Sequence, residues 1–215
     1  MIPIRVFSIL VALTLFVGSA PLTAALETSG LTAEDRADLG RIQMKINSFR
    51  TLSTRFRQIS PRGRTSQGNI FIQRPGQLRV QFDHKQMLIL TSRLWLIVIQ
   101  DQQGEPQYFP LNSTPAGILV RSNVTFDRDI QVTRVQRNSD KILVTIVRRK
   151  AHRQGKMTLI FERETLNLTG WTIIDARGLP TRVLLSETRL DVQLKPSLFH
   201  VPQDRIRPGG GGSDR

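Results

Sequence analysis

Two spacings of apolar residues organise this chain, one after the other. Between Leu31 and Arg50, the residues Leu39, Ile42, Ile46 and Phe49 recur every three or four positions, which stacks them on one face of a helix. Thr32 suits its N-cap, with Asp35 as a variant of the capping-box acid, while Lys45 and Arg50 suit the carbonyl-rich C-terminal end. From Thr51 the spacing becomes two. Leu52, Thr54, Phe56 and Gln58 alternate with Arg55 and Arg57, and Pro61-Arg62-Gly63-Arg64 then turns the chain. Strands are predicted again over Gly68–Gln73, Leu78–Phe82, Met87–Leu90 and Leu94–Gln100, separated by short turn segments such as Arg74-Pro75-Gly76 and Gln102-Gln103-Gly104.

From Pro110 to Val120 the alternation stops. Ser113-Thr114-Pro115 has the form of a helix start, followed by an apolar patch at Ile118, Leu119 and Val120. Strands resume at Ile130–Gln136, Ile142–Val147, Met157–Glu162, Trp171–Asp175 and Arg182–Thr188. Connections this short exclude the crossovers that parallel strands need, so the sheet is expected to be an antiparallel meander. About ten strands with few helices is too much sheet for a small flat layer. The expected fold is mainly β and strongly curled, with helical segments covering the concave side and an apolar ligand held wherever side chains leave that concavity unfilled.

The N-terminus adds an address. Arg5 precedes an apolar stretch from Val6 to Val17, and small residues follow around Gly18 to Ala25, the arrangement of a cleavable export signal over residues 1–25. The stretch is shorter than the roughly 20 residues of a membrane span. Arg5 is the only charge in that segment, so its removal takes the net charge from +14 to +13. The remaining chain is expected to form one domain over residues 26–207, with a disordered Gly-rich tail at 208–215. There is no cysteine, which excludes a disulfide framework, a cysteine-ligated metal and a lipidated N-terminal cysteine. A soluble, monomeric protein of the bacterial periplasm fits these features. The positive charge favours anionic partners, but the basic residues are scattered, with Arg148-Arg149-Lys150 the longest run, and an exported protein meets little nucleic acid, so no nucleic-acid role is expected.

Chemistry is thinly represented. His84, His152 and His200 are isolated, without the spacing of a helical zinc motif, so no metal and no cofactor is expected. A triad of Ser92, His84 and Asp101 would have to assemble in three dimensions, without a nucleophile elbow to support it, and no enzymatic activity is expected. Asp127 and Asp129 flank Arg128 and read as a polar rim. The large apolar residues are more informative. Phe56, Phe71, Phe82, Trp95, Phe161 and Trp171 fall on separate strands, where they either fill a core or line a cavity closed by the Leu39, Ile42 and Ile46 helix face and by Ile118 and Leu119.

Arg74-Pro75-Gly76 followed by Leu78-Arg79-Val80-Gln81-Phe82 resembles the periplasmic outer-membrane lipoprotein carrier family, LolA. The resemblance continues through Thr51 to Gln58, Gly68 to Ile72, Pro110 to Pro115 with Ile118-Leu119, Trp171 to Gly178 and Leu198-Phe199. It implies an incomplete antiparallel β-barrel enclosing an apolar cavity under a helical lid. It also implies acylated lipoproteins as cargo, an inner-membrane lipoprotein-releasing ABC transporter as donor and an outer-membrane lipoprotein receptor as acceptor. Arg74 matches the family arginine that latches the lid in the empty protein. Two other functions remain compatible with the residues: a lipid- or lipoprotein-sensing module of the envelope, and an exported hydrolase.

Overall fold

The computed structural model describes residues 30–84, 87–92, 94–100, 105–114, 116–126, 129–149 and 155–201. The export segment 1–25, the tail 208–215, Arg93, Asp101, the Gln102-Gln103-Gly104 turn, Pro115, Asp127, Arg128, Lys150 and His152 lie outside these residues. No helix among the described residues is long and apolar enough to cross a membrane.

The period-two alternation becomes a sheet of 11 antiparallel strands. Its first half comprises β1 (Thr51–Ile59), β2 (Thr65–Gln73), β3 (Gln77–Phe82), β4 (Met87–Ser92), β5 (Trp95–Gln100) and β6 (Gln107–Pro110). The second comprises β7 (Ile130–Arg137), β8 (Lys141–Arg148), β9 (Gly155–Glu162), β10 (Leu168–Asp175) and β11 (Pro180–Leu190). Each half is a meander, and pairing of β11 with β1 joins them, giving the order β6-β5-β4-β3-β2-β1-β11-β10-β9-β8-β7. The last strand therefore lies beside the first while β6 and β7 remain edges, so the barrel is open. The sequence did not predict β6; its four residues are all exposed and carry no burial rhythm.

One glycine shows how closely the strands are fitted. Gly68 on β2 lies in register between Phe56 on β1 and Phe82 on β3, whose rings meet edge to face at 5.1 Å. A Cβ there would fall 2.0 Å from the Gln81 carbonyl oxygen and 2.8 Å from the Phe56 ring. Only glycine leaves room for the two rings to close over the strand from either side.

The concave face is crossed by the helices. Helix α1 (Ala33–Asn47) begins with the expected capping box: the Thr32 hydroxyl accepts from the Asp35 N–H, and the Asp35 carboxylate accepts from the Thr32 N–H. Its buried stripe contains Leu39, Ile42 and Ile46, and also Asp35 and Asp38. The segment joining β6 to β7 carries a 3-10 turn (Leu111–Ser113) and α2 (Ala116–Leu119), a single helical turn that passes over the concavity from one sheet edge to the other. After β11 a second 3-10 turn (Pro196–Phe199) returns to the sheet, where Arg79 donates to the Leu198 carbonyl at 3.0 Å and Phe199 is buried.

The main core lies between the concave face and the helices. A separate cluster of Leu88, Leu90, Ile97 and Ile99 occupies the other face of β4 and β5, with Val201 packed on it. Those strands are thus buried on both sides, which is why their sequence is a run of apolar residues without alternation.

Candidate functional site

Beneath the helices the sheet leaves two apolar chambers. The upper one, about 50 Å³, lies under the end of α1 and is lined by Ile46, Phe49, Leu52, Ile72, Leu159, Leu185 and Leu190 among others. The lower one, about 190 Å³, lies under α2 and is lined by Phe56, Val80, Phe82, Ile89, Leu96, Met157, Ile173 and Val183 among others. Ile70, Leu119 and Trp171 face both chambers and form the partition between them. An apolar cavity of about 150 Å³ accommodates a benzene-sized ligand. Neither chamber is large enough for several acyl chains.

Arg74 joins the two helices that cover the chambers. It follows the end of β2, and its side chain turns inward until the residue is only 6% exposed. Its Nε donates to the Leu119 carbonyl at 2.9 Å, and Nη1 donates to the Ile46 carbonyl. Its guanidinium carbon stands 4.5 Å from the centre of the Phe49 ring. Ile46 is in the last turn of α1 and Leu119 ends α2, so a single cation caps the carbonyl-rich ends of both helices. Burial, with Arg50 adding like-charge repulsion, pushes its pKa down to about 10, which leaves it cationic at neutral pH. The backbone of the same turn reinforces the contact, with the Gly76 N–H donating to the Val120 carbonyl at 2.7 Å.

Other polar contacts tie these covering segments to one another and to the sheet. Asn47 exchanges two hydrogen bonds with the Val124 backbone, at 3.0 and 2.9 Å. Arg121 grips Asp129 with both guanidinium arms at 2.8 and 2.5 Å, which raises the arginine pKa and lowers that of the carboxyl. Arg148 on β8 donates to the Thr114 carbonyl at 2.5 Å, and its burial lowers its pKa.

At the far end of α1, Arg137 on edge strand β7 donates to Asp38 at 2.7 Å and to Asp35 at 2.8 Å, with Glu34 at 3.4 Å. The Thr32 backbone N–H, followed by Arg137, holds the Asp35 carboxyl below its ordinary value of 3.8. A lowered carboxyl pKa stabilises the fold fully above the ordinary value and loses that effect as pH falls through the lowered one. Arg137→Ala is expected to cost about 2 kcal/mol at neutral pH, measured by chemical denaturation. The difference from wild type should shrink only below pH 3.8.

The structure distributes the residues expected to form the cavity among three environments. Ile46, Phe56, Phe82, Ile118, Leu119 and Trp171 line one chamber or both. Leu39, Ile42 and Phe161 are buried in the main core behind the lining. Phe71 and Trp95 require correction. Alternation along β2 turns Ile70 and Ile72 into the upper chamber and leaves Phe71 on the opposite face, where it pairs across the sheet with Ser53 and Arg79. Along β5, Leu96 faces the lower chamber while Trp95 faces outward, 46% exposed and edge-on to Tyr108. Selecting aromatics also missed most of the lining, which is aliphatic and sits at the alternate positions of each strand.

Of the three residues considered for a hydrolytic triad, Asp101 lies outside the described residues and the other two are not brought together. His84 precedes β4 and Ser92 ends it, so roughly 15 Å of strand separates them. Among the described residues no group of three or more His, Asp or Glu side chains is placed to hold a metal ion.

An open antiparallel half-barrel, with apolar chambers under a pinned helical lid, defines a lipid- or lipoprotein-binding module. Residues 47–202 match the model of the family described as outer membrane lipoprotein carrier protein LolA, and the chain belongs to that family. No curated relative matches by sequence. Among solved structures, a proposed outer membrane lipoprotein-sorting protein domain from Vibrio parahaemolyticus superposes with a TM-score of 0.50 at 8% identity, covering 79% of this chain and 97% of that one. A LolA superfamily protein from Nitrosomonas europaea gives 0.44 at 15% identity, with 76% and 97% covered. The lipoprotein LppX of Mycobacterium tuberculosis gives 0.38 at 6% identity, with 76% and 99% covered. At these identities the likeness concerns the fold.

Proposed function

We propose that this protein is a periplasmic carrier, which receives acylated lipoproteins released by an inner-membrane ABC transporter and delivers them to an outer-membrane receptor. The observation that carries the reading is Arg74, a buried cation bound to the ends of both lid helices directly above an apolar cavity. Each methylene taken out of water contributes about 0.8 kcal/mol, so several acyl chains supply a large driving force for opening the lid. Breaking the Arg74 contacts offsets part of that gain in the loaded state. Release to the receptor restores them. The transfer breaks no covalent bond and uses no cofactor.

The test is to load the purified protein with a triacylated lipoprotein, verify the complex by native mass spectrometry, and add the receptor. An intact acylated cargo is expected to bind one to one and pass to the receptor, while its unacylated form does not bind. Uptake without transfer would favour the sensing module instead, and a cargo shortened by the mass of an acyl group would overturn the carrier reading in favour of hydrolysis.

A further inference from the structure

The convex face of the sheet, turned away from the chambers, carries a basic strip that acyl burial does not use. Alternation puts it there. Phe56, Val183, Trp171 and Met157 turn inward to the chambers, so their chain neighbours Arg57, Arg182, Thr172, Lys156 and Thr158 point outward. Strand register then aligns Arg182, Thr172, Thr158, Thr145 and Arg134 as one row across β11, β10, β9, β8 and β7. At the usual strand spacing the row is about 19 Å long. The Thr145 and Thr158 hydroxyls are hydrogen-bonded at 3.0 Å. Arg57 pairs with Leu184 and is the diagonal neighbour of Arg182; Lys156 pairs with Ile174 and is the diagonal neighbour of Thr172. Arg62 and Arg64 extend the strip into the β1 to β2 turn.

These charges are not compensated within the fold. Arg57, Arg62, Arg64, Arg134, Lys156 and Arg182 are exposed, and among the described residues no carboxylate forms a salt bridge with any of them. Nearby Asp83 is held by Arg55, Asp129 by Arg121 and Asp175 by Arg177. The position of the strip matters as much as its charge. β1 and β11 stand at the middle of the strand order, where a convex sheet meets a flat surface first. The row supplies guanidinium and hydroxyl donors, which suit phosphodiester oxygens, and no aromatic residue of the kind that anchors a protein partner.

We propose that this strip docks the protein on a bilayer surface of anionic phospholipid headgroups, with α1 and α2 facing away from the membrane. The contact is peripheral and electrostatic, and no apolar side chain is inserted. It leaves the covering helices accessible from the aqueous side, and it gives the excess positive charge a role. The docking stands independently of what the chambers hold.

The exported protein is floated with vesicles of phosphatidylcholine alone or mixed equally with phosphatidylglycerol, at physiological ionic strength, where charges interact only over about 8 Å. It should bind the mixed vesicles and not the neutral ones, and added salt should release it. Exchanging both Arg57 and Arg182 for Glu should weaken binding at least about tenfold. Arg36→Glu with Arg189→Glu makes the same change in net charge, on α1 and at the other end of β11, and should weaken it less than about threefold. Melting curves check folding, and glutamine replaces glutamate at positions 57 and 182 if that variant is unstable. Because the chain has no cysteine, a single fluorophore reports orientation. Headgroup-quencher lipids should dim it at Gln67→Cys, which is exposed and pairs with Arg57, and not at Met44→Cys on α1. Equal losses in the two double variants, or equal quenching at the two positions, would overturn the proposal. Wild type that ignores mixed vesicles but binds polyglutamate would replace the bilayer with an acidic protein partner. Failure of lipoprotein uptake alone would count only against the carrier reading.

Discussion

Arg74→Leu is expected to take up acylated lipoprotein at close to the wild-type level and to deliver it to the receptor at least about tenfold more slowly. The expectation follows from where the guanidinium's contacts lie. Its hydrogen bonds reach carbonyls of α1 and α2, so they exist only when both helices are seated on the sheet. In the proposed carrier cycle they stabilise the closed, empty state. Leucine leaves the apolar lining intact and removes that preference, which lowers the free energy of the loaded state relative to the empty one. Two hydrogen bonds from a charged group, each contributing about 1.5 kcal/mol, correspond to more than a tenfold change in that balance.

Arg74→Lys separates the latch from simple loss of charge. A lysine retains a cation but lacks the planar fork that spans two carbonyls and stacks on Phe49, so it should deliver at an intermediate rate. The measurements are thermal unfolding, uptake and transfer on the same preparations. A folded Arg74→Leu variant that takes up cargo and transfers it at the wild-type rate would sink the latch. Loss of folding would show instead that Arg74 chiefly anchors the turn at Pro75 and Gly76.

Much of this arrangement was legible in the sequence because it is local. The α1 capping box needs residues three apart, and both of its hydrogen bonds form where Thr32 and Asp35 indicated. Strand alternation and short turns were enough to give an antiparallel meander. What sequence could not give was the closing pair, since β1 and β11 meet across more than a hundred residues and nothing local marks them as partners. The same distance hid Arg137, whose partners Asp35 and Asp38 sit on the buried stripe of α1. Two acids on an otherwise apolar helical face were the available sign that a cation approaches from elsewhere in the fold. Phe71 and Trp95 illustrate a different error. Size drew attention to them, although the phase of the alternation, set by Ile70, Ile72 and Leu96, had already turned them away from the cavity. The unbroken apolar run from Leu94 to Ile99 was likewise a sign that β5 is buried on both faces and cannot be assigned to one.

The phase of α1 yields the second large effect. Ile46 lines the upper chamber and is 8% exposed, whereas Met44, two residues earlier, points to solvent and is 68% exposed. A photoreactive apolar residue at position 46 should therefore crosslink acylated cargo strongly, and the same residue at position 44 should give only background. Ile42 tests the geometry more finely. It is fully buried in the main core without lining either chamber, so crosslinking from position 42 should be weaker than from 46 and should rise when Arg74→Leu loosens the lid. The unacylated cargo is the control for contacts made by the protein part of the lipoprotein. Equal yields at positions 46 and 44, or equal yields with acylated and unacylated cargo at position 46, would show that the acyl chains do not lie under α1. The cavity lining would then need to be relocated to the sheet residues beneath α2 alone.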